Sequence, residues 1–491
     1  MKTIKFLSMA ALALVGTMTV GCSSDDNFIE QTQQPVNSNN VVTLTATVGF
    51  DEAASNRALA IDYPNKKLTK TFEADDQIAV IYENTSGTMV KETATIAAGD
   101  ISTDGQSATF TVTMTNPKAS GTLKYIYPAA MAGATDVDYT KLASQDGTLT
   151  SLASNLDLAT FEGMLTAASE LPASAALKNK LAILAFTLKD NAATPTEITS
   201  SITSLTFTDG TNTYSVNRSA VAGPIYVAMK PTSGADIDFY ATDGTNNYMK
   251  SVTSKTYAAN NIYQQGLKMD PGAILSLVTS NIVAQNGETL TGTLASNVKI
   301  SIANNATVTL KNMNIDGNNS SSYKWAGLTP LGDATINLEG TNTVKGFYDE
   351  YPGIYVPSGK TLTIQGTGSL TASSNGWGAG IGGGFDINCG NITISNGTVT
   401  ATGGDQAAGI GGGRKGSCGN ITISGGTVNA KGGDYAAGIG GGNQGTCGAI
   451  TISGGTITAT KGGSAPNSIG AGLDGTAISV DIETGANVTQ N

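Results

Sequence analysis

The sequence of 491 residues predicts an all-β fold, with two β-sandwich domains followed by a right-handed parallel β-helix. Three observations predict it. Near-copies of one unit recur every 29 residues in the C-terminal part, and apolar and polar residues alternate within each copy. Upstream, short alternating segments are separated by clusters of Gly, Asn and Asp, a pattern typical of β-sandwiches.

The repeat is clearest as the hexapeptide Ala-Gly-Ile-Gly-Gly-Gly, which begins at Ala379, Ala408 and Ala437. A fixed period of this length is typical of a solenoid. In Ile392-Thr393-Ile394 and its equivalents, apolar residues alternate with Thr, the period of a strand with one buried face. Weaker copies extend the pattern to seven rungs within 275–491, from the triplet at Val308 to the one at Ile478, and the weak ends are typical of capping repeats.

The repeat carries one cysteine per copy at the same offset, namely Cys389, Cys418 and Cys447. Three is an odd number, so complete pairing is impossible, and without His a zinc site lacks ligands. We therefore expect a ladder of small buried side chains rather than a disulfide framework.

The composition disfavours several classes of function. The chain has a net charge of −11, no His and only 13% charged residues. Such a chain lacks the basic surface that binds nucleic acid, and no His-based catalytic site is available. We expect no enzyme and no cofactor.

A β-helix polysaccharide lyase or hydrolase is the alternative, because this fold also carries enzymes. Its candidate residues would be Arg414 and Lys415 beside Asp386, Asp405 and Asp434. Asp405 and Asp434 occupy equivalent positions in successive rungs, where a paired-carboxylate site for glycoside hydrolysis is conceivable. The same two residues are weak calcium candidates. We favour turn formation for both, because Asp after Gly-Gly commonly bonds the nearby backbone.

The N-terminal segment predicts export. Residues 1–21 have Lys2 and Lys5 before an apolar stretch too short to span a membrane comfortably. The stretch ends in Thr19-Val20-Gly21-Cys22, which resembles the lipobox of bacterial lipoproteins. The resemblance implies that Cys22 is diacylated, with palmitate among the acyl groups; an ordinary secretory signal is the alternative.

The residues after Cys22 indicate where the chain is sent. Ser23-Ser24-Asp25-Asp26-Asn27 is similar to the acidic tag that sends Bacteroidetes lipoproteins to the outer face of the outer membrane. Residues 22–40 are polar and lack periodicity, so we expect a flexible tether. The expected location is the cell surface.

Residues 41–155 and 156–270 are each predicted to form one sandwich. Short motifs follow one another in these domains: Arg57-Ala58, Phe72 to Val80, Tyr125 to Pro128, Asn179 to Ala182, Gly223 to Tyr226 and Ala259 to Tyr263. Their order resembles that of fimbrillins, the type V pilus proteins of Bacteroidetes.

The resemblance implies two transthyretin-like sandwiches and assembly with other pilin subunits by strand exchange. In that family an arginine-specific protease removes the N-terminal strand, and a strand from a neighbouring subunit fills the groove. Arg57 is the only arginine before Arg218, so it is the candidate maturation site. A surface arginine in a loop is the alternative.

Aromatic residues stand ahead of several Gly-Ile steps of the repeat. These are Trp325, Tyr351, Trp377 and Tyr435. Rings spaced along a rod of Thr and Asn side chains are suited to stacking on sugar rings, so we take the four as candidate glycan contacts. The alternative is that they cover the flank of the solenoid.

The favoured function is a cell-surface adhesin, either a pilus tip or a pilus-associated subunit. Its second sandwich is followed by the solenoid of residues 275–491, so donation of a C-terminal strand is blocked while acceptance remains possible. The alternatives are a non-polymerising surface glycan-binding lipoprotein and the β-helix enzyme.

Overall fold

The computed structural model describes residues 40–50, 60–62, 67–172, 174–219, 221–476 and 479–491. The predicted fold class is confirmed: the described chain is nearly all β, with sheet domains at the N-terminal side and a β-solenoid at the C-terminal side. No helix among these residues has the length and apolar character needed to cross a membrane.

The described residues between 40 and 179, most of which form the N-terminal domain, contain ten strands and one short α-helix. The strands are β1 Val41–Phe50, β2 Ala60–Asp62, β3 Lys67–Thr69, β4 Gln77–Glu83, β5 Met89–Thr95, β6 Ser107–Thr115, β7 Thr122–Tyr127, β8 Ser144–Gln145, β9 Ala159–Met164 and β10 Ala175–Asn179, with α1 at Leu149–Asn155. Seven of them form one sheet in the order β5-β4-β7-β9-β10-β1-β6. One face of this sheet packs around Phe110 and Tyr125, both fully buried.

The second domain contains seven strands. They are β11 Ala182–Asp190, β12 Ser204–Thr208, β13 Thr213–Asn217, β14 Ile225–Met229, β15 Thr232–Thr242, β16 Asn247–Tyr257 and β17 Ile262–Ile274. Its core surrounds Phe186, Phe207 and Phe239, whose rings lie 5.3–5.5 Å apart. Ala79 and Ile81 of the first domain join the same core, so the two domains pack together.

The structure corrects the predicted boundary at 155/156. β9 and β10 lie beyond that boundary, yet both pair within the sheet of the first domain. β8 lies before it, yet pairs in parallel with β13 of the second domain. The chain therefore passes from one domain to the other between β10 and β11. The reason is that the parallel pairing of β1 with β10 joins residues distant in sequence.

The remaining strands build the solenoid. They are β18 Ile282–Ala284, β19 Thr289–Thr293, β20 Ile300–Ile302, β21 Ala306–Ile315, β22 Thr329–Pro330, β23 Ala334–Glu339, β24 Thr341–Lys345, β25 Ile354–Tyr355, β26 Thr361–Gly366, β27 Ser369–Ser373, β28 Ile381–Gly382, β29 Asn391–Ile394, β30 Thr398–Thr402, β31 Ile410–Gly411, β32 Ile421–Ile423, β33 Thr427–Lys431, β34 Ile439–Gly440, β35 Ile450–Ile452, β36 Thr456–Thr460, β37 Ile469–Gly470, β38 Val480–Ile482 and β39 Asn487–Gln490. Successive rungs pair in parallel.

The predicted register of the repeat holds through the well-preserved rungs. Ile392 pairs with Ile421, and Ile421 pairs with Ile450, so identical side chains form buried columns. At two degenerate rungs the prediction was wrong. Ile336 pairs with Ile364, two residues beyond the predicted start of the next triplet at Leu362. Ile450 pairs with Val480, two residues beyond the predicted start at Ile478, because the last interval is 30 residues rather than 28.

A single strand joins the second domain to the solenoid. β17 pairs in parallel with β11 from Ile262 to Met269. Its last three residues, Gly272 to Ile274, pair in parallel with β19 of the solenoid. The two parts therefore share a continuous strand instead of a linker.

Candidate functional site

The first candidate site is the position of β1 in its sheet. This strand lies inside the sheet, with β6 on one side and β10 on the other. Nine residue pairs join it to β6, whereas only three join it to β10. Without β1, these two neighbours would be left with a groove the width of one strand between them.

Most side chains of β1 are exposed or half-buried. Only Ala46 and Val48 of its ten residues are fully buried. Along the exposed face, hydroxyl pairs of Thr from β1 and β6 lie 3.2 Å apart: Thr43 with Thr113, Thr45 with Thr111 and Thr47 with Thr109. On the other face, Leu44 and Phe50 pack partly buried against the core of the first domain. The strand is thus held by backbone hydrogen bonds and by alternating apolar side chains, which another strand of the same pattern can supply.

Two residues predicted for maturation lie outside the described residues. Cys22, the predicted lipidation site, precedes the first described position, and Arg57, the predicted cleavage site, lies between β1 and β2. Arg57 lies seven positions beyond Phe50, the last residue of β1, so a cut there would separate the segment that contains β1 from the rest of the chain.

The second candidate site is a flank of the solenoid built from two backbone columns. Trp377, Gln406 and Tyr435 occupy equivalent positions 29 residues apart. Their carbonyl oxygens accept hydrogen bonds from the amides of Arg414, Asn443 and Leu473, at 3.1, 2.9 and 2.8 Å respectively. The first column therefore carries two of the predicted rings, with a Gln between them.

The other two predicted rings belong to a different column. Leu328 pairs with Ile354, and Ile354 with Ile381, which places Trp325 and Tyr351 opposite Gly378 instead of Trp377. Trp325 packs against the solenoid core, with its ring centroid 5.8 Å from that of Phe347. Tyr351 is half-buried, and burial raises the pKa of its hydroxyl. The four rings therefore do not form one flat row.

Trp377 stands in an aromatic and basic cluster. Its half-buried ring lies 5.2 Å from that of Phe385, centroid to centroid. The guanidinium carbon of Arg414 lies 5.5 Å from both centroids, and Lys415 Nζ lies 5.8 Å from that of Phe385. A cation over ring faces is attracted by the ring quadrupole, so this cluster combines stacking area with hydrogen-bond donors. Sequence reasoning missed Phe385, although it precedes Arg414 by one period.

The carboxylates of this region are exposed. Asp386, Asp405 and Asp434 each lie on the surface of a rung. Gln406 Nε2 donates a weak hydrogen bond of 3.4 Å to Asp405. Over the residues that the structure describes, no three Cys, Asp or Glu side chains are grouped so as to hold a metal ion.

The structure corrects the prediction for the cysteines. Cys418 and Cys447 form a disulfide, with their Cα atoms 4.3 Å apart, and Cys389 is free and buried. The prediction failed because equivalent residues of neighbouring rungs are spaced at about 4.8 Å, close to the Cα separation that a disulfide needs. An odd number of cysteines excludes complete pairing but permits one pair.

Comparison with known proteins identifies the solenoid repeat. A family model described as a beta helix repeat matches residues 362–385, 392–414, 421–443 and 450–473. No curated protein matches the chain.

Solved structures resemble about half of the chain. A candidate cell adhesion protein from Bacteroides ovatus is 12% identical, with 48% of this chain and 95% of that chain covered at a TM-score of 0.26. A fimbrial assembly protein from Parabacteroides distasonis is 10% identical, with coverages of 46% and 90% and a TM-score of 0.26. The major pilin of Streptococcus pyogenes is 10% identical, with coverages of 47% and 98% and a TM-score of 0.15. At these scores nothing about function is carried over from them.

Proposed function

We propose that the chain is a cell-surface adhesin subunit of a pilus, at its tip or associated with it, which accepts a strand from a neighbouring subunit in place of β1. The observation that carries the proposal is the interior position of β1, with Arg57 seven positions beyond its last residue. Cleavage there would detach a strand held by two neighbours. The vacated groove would offer unpaired N–H and C=O groups to an incoming strand.

The same chain is unsuited to donating a strand. Its last sandwich strand, β17, continues into the solenoid and pairs with β11 and β19. Withdrawal of β17 would break pairing in both the second domain and the solenoid. An acceptor that cannot donate ends a fibre, which supports a terminal or accessory place over a place in the stalk.

We also propose a role for each end of the chain, anchoring for the N-terminal end and ligand binding for the solenoid. A lipid on Cys22 would hold the precursor at the outer membrane, and the solenoid would contact a ligand, for which we propose a glycan. We propose no catalytic activity for the exposed carboxylates of the rungs.

Arg57 variants test strand acceptance. We expect Arg57→Lys to leave β1 attached, because an arginine-specific protease does not cut after Lys, and to abolish incorporation into fibres. Incorporation is measured by quantifying the chain in purified fibres. Arg218→Lys is the matched control and should incorporate normally. Normal incorporation of Arg57→Lys would contradict acceptance through this cut.

The rings of the first column test the glycan proposal. We expect Trp377→Ala with Tyr435→Ala to weaken glycan binding at least tenfold, since a stacked ring is worth on the order of 1 kcal/mol. A glycan array with the full chain identifies the ligand, and titration of the variant against it gives the ratio. Trp377→Phe with Tyr435→Phe keeps both ring faces and should retain most of the affinity. Unchanged binding by the Ala variant, or an array without a ligand, would contradict the proposal.

A further inference from the structure

A cluster of two buried side chains and one half-buried side chain lies in the first domain. Lys70 follows β3, Asp157 lies between α1 and β9, and Asn179 ends β10. Lys70 and Asp157 are 6% and 4% exposed. Burial of a lysine and an aspartate is costly unless the two are paired, so the cluster needs an explanation.

One amine contacts both a carboxyl and a carboxamide. Lys70 Nζ lies 3.1 Å from Asp157 Oδ2 and also donates to the backbone carbonyl of Asp157. The same Nζ lies 3.5 Å from Asn179 Oδ1. The amide nitrogen of Asn179 donates to Asn260 Oδ1, which fixes the orientation of the carboxamide.

Two aromatic rings lie beside the cluster. Lys70 Nζ lies 5.5 Å from the ring centroid of Phe50 and 5.2 Å from that of Tyr127. Phe50 stacks on Phe72 at 4.5 Å. Burial of the amine and the carboxyl disfavours their charged forms. Burial accordingly lowers the pKa of Lys70 and raises the pKa of Asp157, although each partly offsets the effect on the other.

We propose that Lys70 and Asn179 form an intramolecular amide bond, with Asp157 transferring the protons. The neutral Lys70 Nζ attacks the Asn179 side-chain carbonyl carbon, so that a C–N bond forms while Asp157 holds a proton toward the carbonyl oxygen. The bond to the original amide nitrogen then breaks, and that nitrogen leaves as ammonia with a proton relayed from Lys70 through Asp157. Amine and carboxamide become one secondary amide plus ammonia, without oxidant or reductant.

The bond would strengthen the part of the sheet next to β1. Its ends lie 109 residues apart in the chain, and β10, which ends at Asn179, is a neighbour of β1. A covalent tie at Asn179 would hold β10 in place whether or not β1 is present. The bond itself does not depend on strand exchange.

Peptide mass spectrometry of the digested full chain tests the proposal. We expect a branched peptide joining Lys70 and Asn179, lighter than the sum of its two parts by about 17 Da, the mass of ammonia. Asp157→Asn keeps the size of the side chain and should abolish the branched peptide. Lys124→Met is the control, since Lys124 forms an ion pair with Asp136 in the same domain, and should leave the branched peptide in place.

Three results would overturn the proposal. Separate unmodified peptides from the wild-type chain would show that the cluster is a buried ion pair only. A loss of about 18 Da between Lys70 and Asp157 would assign the reacting carbonyl to Asp157 instead. A full yield of the branched peptide in the Asp157→Asn variant would show that Asp157 does not transfer the protons. The wild-type measurement stands by itself even if a variant fails to fold.

Discussion

Replacing Gly411 with alanine is expected to lower the free energy of unfolding of the solenoid by at least about 3 kcal/mol. Gly411 has a φ of +128°, which L side chains rarely adopt. A Cβ there would lie 2.1 Å from the carbonyl oxygen of Gly440 in the next rung, and 3.2 Å from Cys418 Sγ. Backbone of an adjacent rung cannot move aside without breaking the parallel pairing of Gly411 with Gly440.

The control for this variant is Gly359→Ala. Gly359 also has a positive φ of +74°, but a Cβ on this residue would have no neighbouring atom within 4 Å. It therefore isolates backbone strain, which we expect to cost about 1 kcal/mol. Chemical denaturation followed by circular dichroism measures both variants. If both variants lose the same free energy of unfolding, the close contact between Gly411 and Gly440 contributes nothing to the destabilisation.

Replacing Glu288 with alanine is expected to cost about 3 kcal/mol, because two buried donors would lose their acceptor. Glu288 is 2% exposed and precedes β19 of the solenoid. Its carboxylate accepts hydrogen bonds of 2.7 Å from the amide N–H and 2.9 Å from the side chain of Asn247, the first residue of β16. Tyr240 completes the network by donating to Asn247 Oδ1 at 2.8 Å. The contact joins the second domain to the solenoid.

The buried carboxyl of Glu288 is also expected to make the stability of the chain depend on pH. Burial raises the pKa of Glu288 above its ordinary value of 4.5, against the opposing effect of the Asn247 hydrogen bonds. The stability that follows from this shift is present below pH 4.5 and is lost as the pH rises through the folded pKa. Relative to Glu288→Gln, the wild type should therefore lose stability on going from pH 4 to pH 7. Urea titrations give the free energy of unfolding of the wild type and of Glu288→Gln at each pH. The same change with pH in both chains would contradict the prediction.

The solenoid was predictable because its evidence is local and repeated. Ile392, Ile421 and Ile450 share a position in each copy, and the structure pairs them as expected. The final rung was misplaced by two residues because a degenerate copy at Ile478 carries no glycine hexapeptide to fix its register. Intact copies therefore keep the predicted register throughout, whereas degenerate copies keep it at some rungs, such as Val308 with Ile336, and lose it at others.

Contacts between distant segments left no signal in the sequence. β10 pairs with β1 although more than a hundred residues separate them, and no motif near residue 155 indicates this pairing. The cluster of Lys70, Asp157 and Asn179 has the same origin, with 87 and 109 residues between its members. A lone buried lysine cannot be told from an exposed one by composition, since its burial depends on the tertiary fold.

The candidate glycan site was predicted in part. The spacing of Trp377 and Tyr435 by two periods correctly placed them in one column. The contact of Arg414 with the ring of Trp377 was not foreseen, because the two residues are 37 positions apart and come together only when one rung stacks on the next. Trp325 matched the pattern but packs against the core.

The most direct test of strand acceptance is binding of a labelled peptide with the sequence of β1, Val41–Phe50. The folded chain is cut after Arg57 with an arginine-specific protease, and the cut is verified by mass. We predict saturable binding to the cut chain, little binding to the intact chain, and none of a peptide in which the buried Ala46 and Val48 are replaced by Asp. Equal binding of both peptides, or no binding to the cut chain, would contradict the account.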